Sequence, residues 1–392
     1  MGMLSAKKTR RSSPPGPLRP PMMDLDDAFY AMQQKLPRSA FDFLAFYSSV
    51  LGGIVTDPAL MTVPMDEHMV HRGHAVFDTA NVSRGYCYGL DFHLDRLLRS
   101  AGLARIHPAF TKEELRHIIL STVAASQVRD DVFVRFWMTS GRGNFAISAK
   151  ETTSSGFFVM VHRYSSKGDL KLQGITEHVV EDIPLKNPLL ATMKSTNYLI
   201  NALVCQAAED KGGFLGIQFE PSGALAESSI GNVAILTQEG VLRTPPFERI
   251  LAGTTVKRLW ELAVDSLLPQ GIVSGVEYHQ ITLAELLSAK EAFSLGGGSV
   301  LPIVRIDGHV IGDGKPGPVF KELDALLVRD MDVNFLDPVP YQEYTQGGLV
   351  QRGWRGLQRW RRADGYLMGL VLIALPLAFA VGKIRGGPTF ML

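Results

Sequence analysis

Lys194 stands in the segment Thr192-Met193-Lys194-Ser195-Thr196-Asn197-Tyr198, just before an amphipathic run through Leu199, Asn201, Ala202, Val204, Cys205 and Ala208. A lysine at the start of a helix faces the positive end of the helix dipole, and a lowered pKa is what a Schiff-base amine requires. The same placement also suits an ordinary solvated charge. Glu227 belongs to 226–236, where a carboxylate and a small polar loop lead into an apolar strand. Such an acid is placed either to meet a cationic ring nitrogen or to form a surface ion pair. Gly253-Thr254-Thr255 precedes Val256, Leu259, Trp260 and Ala263 at helical spacing. Backbone N–H groups and hydroxyls then converge at a helix start, as an anion site or as a simple N-cap. Gly296-Gly297-Gly298-Ser299 offers a second bare-backbone loop, a phosphate nest or a flexible turn. In His93-Leu94-Asp95-Arg96-Leu97, the residues Leu94, Leu97, Leu98 and Ala101 share a helical face, and the pattern puts Arg96 on the opposite, polar face in a surface ion pair.

The elements that must position these residues alternate along the chain. Runs such as 132–137 and 156–161 read as strands, and amphipathic stretches such as 94–103 and 256–267 read as helices. The expected fold class is mixed α/β, of the α+β kind. A polar turn at 163–169 divides the body into a smaller lobe, 42–164, and a larger one, 165–333. Residues 1–41 read as a disordered basic tail. Its acid-free first 23 residues suit an organelle-targeting peptide or a solvated arm equally. Residues 334–364, with Pro338 and Pro340, read as a linker and basic collar.

A chain of 392 residues, 46% hydrophobic and 20% charged, is long enough for two domains and excludes disorder, collagen and a small disulfide scaffold. Forty Lys+Arg against 39 Asp+Glu leave a formal charge of +1, which argues against nucleic acid as a partner. Two cysteines, Cys87 and Cys205, without neighbours at ligand spacing, argue against a structural metal. The mean hydropathy of +0.08 traces largely to 365–382, which has no charged residue. As a helix these 18 residues would reach about 27 Å, close to a bilayer core. Arg352, Arg355, Arg359, Arg361 and Arg362, interleaved with Trp354 and Trp360, precede that run. The expectation is therefore a C-terminal membrane anchor with the body on the cytosolic or equivalent face, the organelle left open.

Six motifs in order, Arg72–Thr79, His93–Leu97 with Ser100-Ala101, Lys194–Tyr198, Glu227–Asn232, Gly253–Thr255 and Pro302–Gly308, resemble the class IV, fold type IV pyridoxal-phosphate enzymes. That family includes D-amino-acid transaminases, branched-chain transaminases and aminodeoxychorismate lyases, and the resemblance covers about Phe43 to Met331. The wording around 47–50 and 66–74 is most similar to the plant-type D-amino-acid transaminase or aminodeoxychorismate lyase branch. The resemblance implies a two-lobe homodimer with pyridoxal 5'-phosphate between the lobes. It makes Lys194 the Schiff-base and proton-transfer lysine, Glu227 the partner of the pyridine nitrogen and Tyr198 the partner of the phenolic oxygen. It further assigns Arg96, Ser229, Ile230, Thr254, Thr255, Gly296 and Gly297 to cofactor binding, and Phe77 to the substrate.

Two departures bear on the reaction. Where bacterial D-amino-acid transaminases carry Thr-Arg-Gly, this chain has Thr139-Ser140-Gly141, so the usual carboxylate clamp is missing and Arg142 is the candidate to replace it. Thr79 occupies a place where the lyases have a threonine near the reacting proton. The expected function is transfer of an amino group from a small, D-configured amino acid to a 2-oxo acid. The alternatives are an aminodeoxychorismate lyase, releasing pyruvate and 4-aminobenzoate, and a catalytically idle membrane-tethered scaffold.

Overall fold

The computed structural model of the protein describes residues 20–37, 42–130, 132–163 and 168–344. Along Val132–Thr139 (β5) fully buried Val132, Val134 and Phe136 alternate with partly exposed Phe133, Arg135 and Trp137, the period of two that makes a strand with one face in the core. With Phe43–Ser48 (β1), Gly53–Val55 (β2), Ala75–Ser83 (β3), Tyr86–Tyr88 (β4), Phe157–Arg163 (β6) and Leu336–Pro338 (β16), it builds a seven-stranded sheet ordered β16-β4-β3-β5-β6-β1-β2. Every pairing in it is antiparallel. A short helix, His68–Arg72 (α2), leads into β3.

Helices Leu90–Leu103 (α3) and Lys112–Ala125 (α4) pack Leu94, Leu97, Leu115 and Ile119 against Val134 and Phe136, in one apolar cluster. Full burial of each such side chain contributes about 1.5–3 kcal/mol. The other face of the sheet carries Arg135, and the register sets it directly opposite Thr79 of β3. That face is therefore free of the helical layer and available for chemistry.

The second sheet contains Ile175–Glu177 (β7), Asn232–Leu236 (β10), Val241–Thr244 (β11), Gly275–Tyr278 (β12), Glu291–Gly296 (β13), Ser299–Ile306 (β14) and His309–Val310 (β15). Its main order is β12-β11-β10-β13-β14-β15, with β7 parallel to β14. All five residues of β10 are buried, as expected of a strand covered on both faces. Thr254–Leu262 (α8) and Pro318–Val333 (α10) cover one side. On the other, Ile217 of Ile217–Phe219 (β8), Leu225 of Leu225–Ser228 (β9) and Leu286 of Leu283–Leu287 (α9) join the core. Gly168–Gln173 (α5) leads from the first sheet to β7, and Pro188–Thr192 (α6) and Leu199–Glu209 (α7) lie between β7 and β8.

Three expectations change. Residues 25–34, read as tail, form a helix (α1, Leu25–Gln34) because Asp24 caps it by accepting the Asp27 N–H. Residues 336–338, read as linker, form β16, an edge strand on β4. The membrane anchor is corrected: among the described residues no helix is long and apolar enough to cross a membrane. The longest described helix, α10, has 16 residues and carries Lys321, Glu322, Asp324, Arg329, Asp330 and Asp332. The run 365–382, its collar 352–362 and the tail through residue 19 lie outside the described residues, as does most of the turn at 163–169.

Candidate active site

The lysine segment is stitched to β3: the Phe77 N–H donates to the Lys194 carbonyl at 2.9 Å, and Val76 bridges Ser195. This holds the Lys194 side chain over the Phe77 ring, with Nζ 4.7 Å from the ring centre, and Nζ donates to the Tyr198 hydroxyl at 3.2 Å. Burial lowers the amine to about 8, with the nearby Arg96 cation adding to the effect. The sequence pointed to the helix dipole as the cause, but desolvation dominates. The Tyr198 phenol is raised, by burial and by Glu227.

Arg96 is not on a solvated face. Its Nε and Nη2 donate to the two oxygens of Asp78, each at 2.7 Å, and the His93 Nδ1 lies 2.8 Å from the same carboxylate. Burial alone would raise the fully buried Asp78 carboxyl, but Arg96 and His93 more than offset it and hold it far below the usual carboxylate range. Helix periodicity missed this pairing because the acid comes from β3, beneath the helix. Arg135, on the neighbouring strand, donates from Nε to the Thr79 hydroxyl at 3.0 Å and lies 5.4 Å from the centre of the Phe77 ring. Among the described residues it makes no ion pair with a carboxylate.

From the two-stranded β8–β9 sheet, β9 presents Glu227. One carboxylate oxygen lies 3.0 Å from the Lys186 ammonium and the other accepts the Leu251 N–H at 3.3 Å. Gly253 is the N-cap of α8, and neither threonine caps the helix with its side chain. Thr255 instead accepts the Gly298 N–H at 3.0 Å, which ties the glycine turn between β13 and β14 to the helix start. The N–H groups of the first turn of α8 thus lack side-chain caps and face an anion-sized space.

These groups line one cavity of about 440 Å³. Phe77, Thr79, Arg96, Lys194, Tyr198, Glu227, Ser229, Ile230, Thr254, Thr255, Gly296 and Gly297 all belong to its wall. Arg142 does not: its Nε donates to both oxygens of Asp66, at 2.9 and 3.0 Å, in an exposed loop. Sequence reasoning missed Arg135, Lys186, Asn201, Asn232 and His93, which also line the cavity. A strand's alternation marks Arg135 as facing one way, but only the pairing register shows that this way is the cavity.

The wall suits a phosphorylated, polar-ringed cofactor. Among the described residues, Asn201 Oδ1, Ser229 Oγ and Ser299 Oγ are buried without a hydrogen-bond partner, and all three residues line the cavity. Orphaned polar atoms around a roomy cavity mark where a polar ligand docks. The sequence description of the family "Amino-transferase class IV" matches residues 75–306, more than half of the chain. The chain is a class IV aminotransferase.

As a class IV aminotransferase it is a pyridoxal-phosphate-dependent enzyme that transfers amino groups. It is 41% identical over 300 residues to the chloroplastic D-amino-acid transaminase of Arabidopsis thaliana, covering 76% of this chain and 79% of that one. It is 26% identical to the D-alanine aminotransferase of Bacillus licheniformis, over 71% of this chain and 95% of that one. Among solved structures, the branched-chain aminotransferase of Thermoproteus uzoniensis with norvaline superposes with a TM-score of 0.67 at 25% identity, covering 76% of this chain and 99% of that one. A second solved branched-chain aminotransferase, complexed with N-(5'-phosphopyridoxyl)-L-glutamate, shares the fold, with a TM-score of 0.68 at 21% identity over 75% of this chain and 98% of that one. The idle-scaffold alternative falls with these matches. So does the membrane-anchored placement, since the Arabidopsis relative is named as a chloroplastic enzyme and no described helix can span a bilayer.

Proposed function

We propose that this aminotransferase moves the amino group of a small D-amino acid to a 2-oxo acid, with Arg135 receiving the substrate carboxylate. The observation that carries the second part is the Arg135 guanidinium in the cavity wall, without an acidic partner among the described residues and sharing the Phe77 ring with the Lys194 amine. A cation so placed brings a carboxylate beside the amine that must act on the adjacent carbon. It takes over the task for which Ser140 and the ion-paired Arg142 are unsuited. The D-configuration is supported by the likeness to the Arabidopsis D-amino-acid transaminase and the Bacillus D-alanine aminotransferase.

Pyridoxal phosphate, when bound, supplies a carbonyl to accept the amino group and a ring that withdraws electrons from the reacting carbon. Lys194 would hold the cofactor at Nζ and, once freed, carry the substrate's α-proton there; its lowered pKa leaves more of it neutral near pH 8 than an exposed lysine would be. Tyr198 orients Nζ and would bond the ring's phenolic oxygen, while Glu227 would pair with the ring nitrogen. Thr254, Thr255 and the α8 N–H groups would hold the phosphate, joined by Ser229, Ile230, Gly296 and Gly297. Arg96, held on Asp78 through Nε and Nη2, would join them. Two lobes meeting near residue 164 and a homodimeric assembly complete this reading.

The test is a purified holoenzyme supplied with D-alanine, L-alanine or aminodeoxychorismate, with 2-oxoglutarate as acceptor. Pyruvate from D-alanine at a rate well above that from L-alanine is expected. Pyruvate from aminodeoxychorismate alone would establish instead the lyase reading, which the Thr79 hydroxyl in the wall favours. Arg135→Met should lower kcat/KM about a hundredfold, the scale of a lost charge-assisted hydrogen-bond pair, with the cofactor's visible band unchanged. An unchanged kcat/KM removes Arg135 from the substrate site.

A further inference from the structure

Glu227 has a partner before any cofactor arrives. Lys186 lies just ahead of α6, whose start is fixed by Pro188 and by Asn187 accepting the Leu190 N–H at 3.0 Å. Its ammonium sits 3.0 Å from one Glu227 oxygen, and both side chains are largely buried, at 12% and 14% exposure. The pair forms a partition: Lys186 and Glu227 line both the large cavity and a smaller one of about 150 Å³ behind it. The other charged groups around Glu227 are accounted for. Lys194 and Tyr198 face it from the large cavity and interact with each other. Arg249, across the small cavity, is paired with Glu220 at 2.9 Å. Lys186 is the cation committed to Glu227 itself.

We propose that Lys186 is a positioning residue that shares Glu227 with the cofactor's ring nitrogen and so sets how firmly that nitrogen holds its proton. This rests on the reading that Glu227 is the ring-nitrogen partner. A carboxylate with an ammonium on one oxygen and a backbone N–H on the other stabilises a third, cationic donor less than an unshared carboxylate does. The ammonium and a protonated ring also repel each other across that one carboxylate, in a wall where screening by water is weak. Removing the ammonium while keeping the side chain's bulk therefore leaves the whole acid to the ring. The ring nitrogen then stays protonated to higher pH.

The experiment reads the ring nitrogen directly. Holoenzyme is reconstituted with cofactor carrying 15N in the ring, and the 15N chemical shift is followed against pH in the native chain and in Lys186→Met, Lys186→Gln, Lys186→Arg and Glu227→Gln. In the two neutral variants the midpoint should move upward by at least about one pH unit, a tenfold change in the proton equilibrium. Lys186→Arg, which keeps the charge, should restore the native midpoint, a rescue that a purely structural role would not produce. Native midpoints in both neutral variants overturn the proposal while Glu227→Gln still lowers the midpoint. A Glu227→Gln chain that titrates like the native one overturns the underlying reading instead.

Discussion

At Lys194 burial opposes charge, and the opposition has a sign in stability. The folded amine titrates at about 8 against an ordinary 10.5, so between those values the unfolded chain holds a proton that the folded one lacks. Stability of the cofactor-free protein therefore rises as pH climbs through that window, and the full penalty applies below it. Lys194→Met removes the penalty: the variant should be more stable than the native chain at pH 7 by on the order of 3 kcal/mol, a gap that closes near pH 10.5. Urea titrations at both pH values check this, and a variant less stable at pH 7 would contradict it. Asp78 is the opposite case, since from a fully buried position it pairs with the Arg96 guanidinium and lies 2.8 Å from His93 Nδ1. Asp78→Ala leaves Arg96 and His93 without their acceptor and should destabilise by about 3–5 kcal/mol in the same titrations. Lys194, Glu227, Tyr198 and Arg96 were legible in the sequence as members of ordered motifs. Arg135 and Lys186 were not, because each acquires its role from a partner on another element.

Elements carry the anion site. The start of α8 is available because Gly253 caps it without a side chain and Thr255 is turned toward Gly298. A Cβ on Gly253 would collide with the Asn232 side chain, which donates to the Leu251 carbonyl at 2.9 Å. Gly253→Ala should therefore displace the first turn of α8 and weaken cofactor affinity on the order of tenfold, measured by equilibrium dialysis of the apoprotein. Unaltered affinity would show that the helix start is not the phosphate end. Periodicity located α3, α8, β5 and β6 within a few residues, because each has one face in a core. It missed β16, a short strand that contains an acid and a proline, because its pairing with β4 comes from backbone bonds rather than from apolar pattern, and Asp337 is held by Arg116 of α4. It missed α1 because a single Asp24 cap outweighs a polar composition.

On the scale of the whole molecule, chain end and chain start of the first sheet depend on each other. Beyond β16, Tyr341 is buried and donates its hydroxyl to the Val128 carbonyl at 2.7 Å. A chain ending at Val333 loses β16 and Tyr341 and should be less stable by at least about 2 kcal/mol, the burial of one large side chain, whereas one ending at Tyr344 keeps both. Thermal unfolding of the two truncations decides it, and equal midpoints would show that β16 and Tyr341 add nothing to stability. The stitch between β3 and the lysine segment has a different consequence. Phe77 and Lys194 are more than a hundred residues apart in sequence, and their hydrogen bond is what fixes the amine in the wall. Closing so long a loop is slow and comes late in folding. On the ribosome, a growing chain that has emerged through β6 has neither Lys194 nor the second sheet. Catalytic competence waits for the second half of the chain to return to the first.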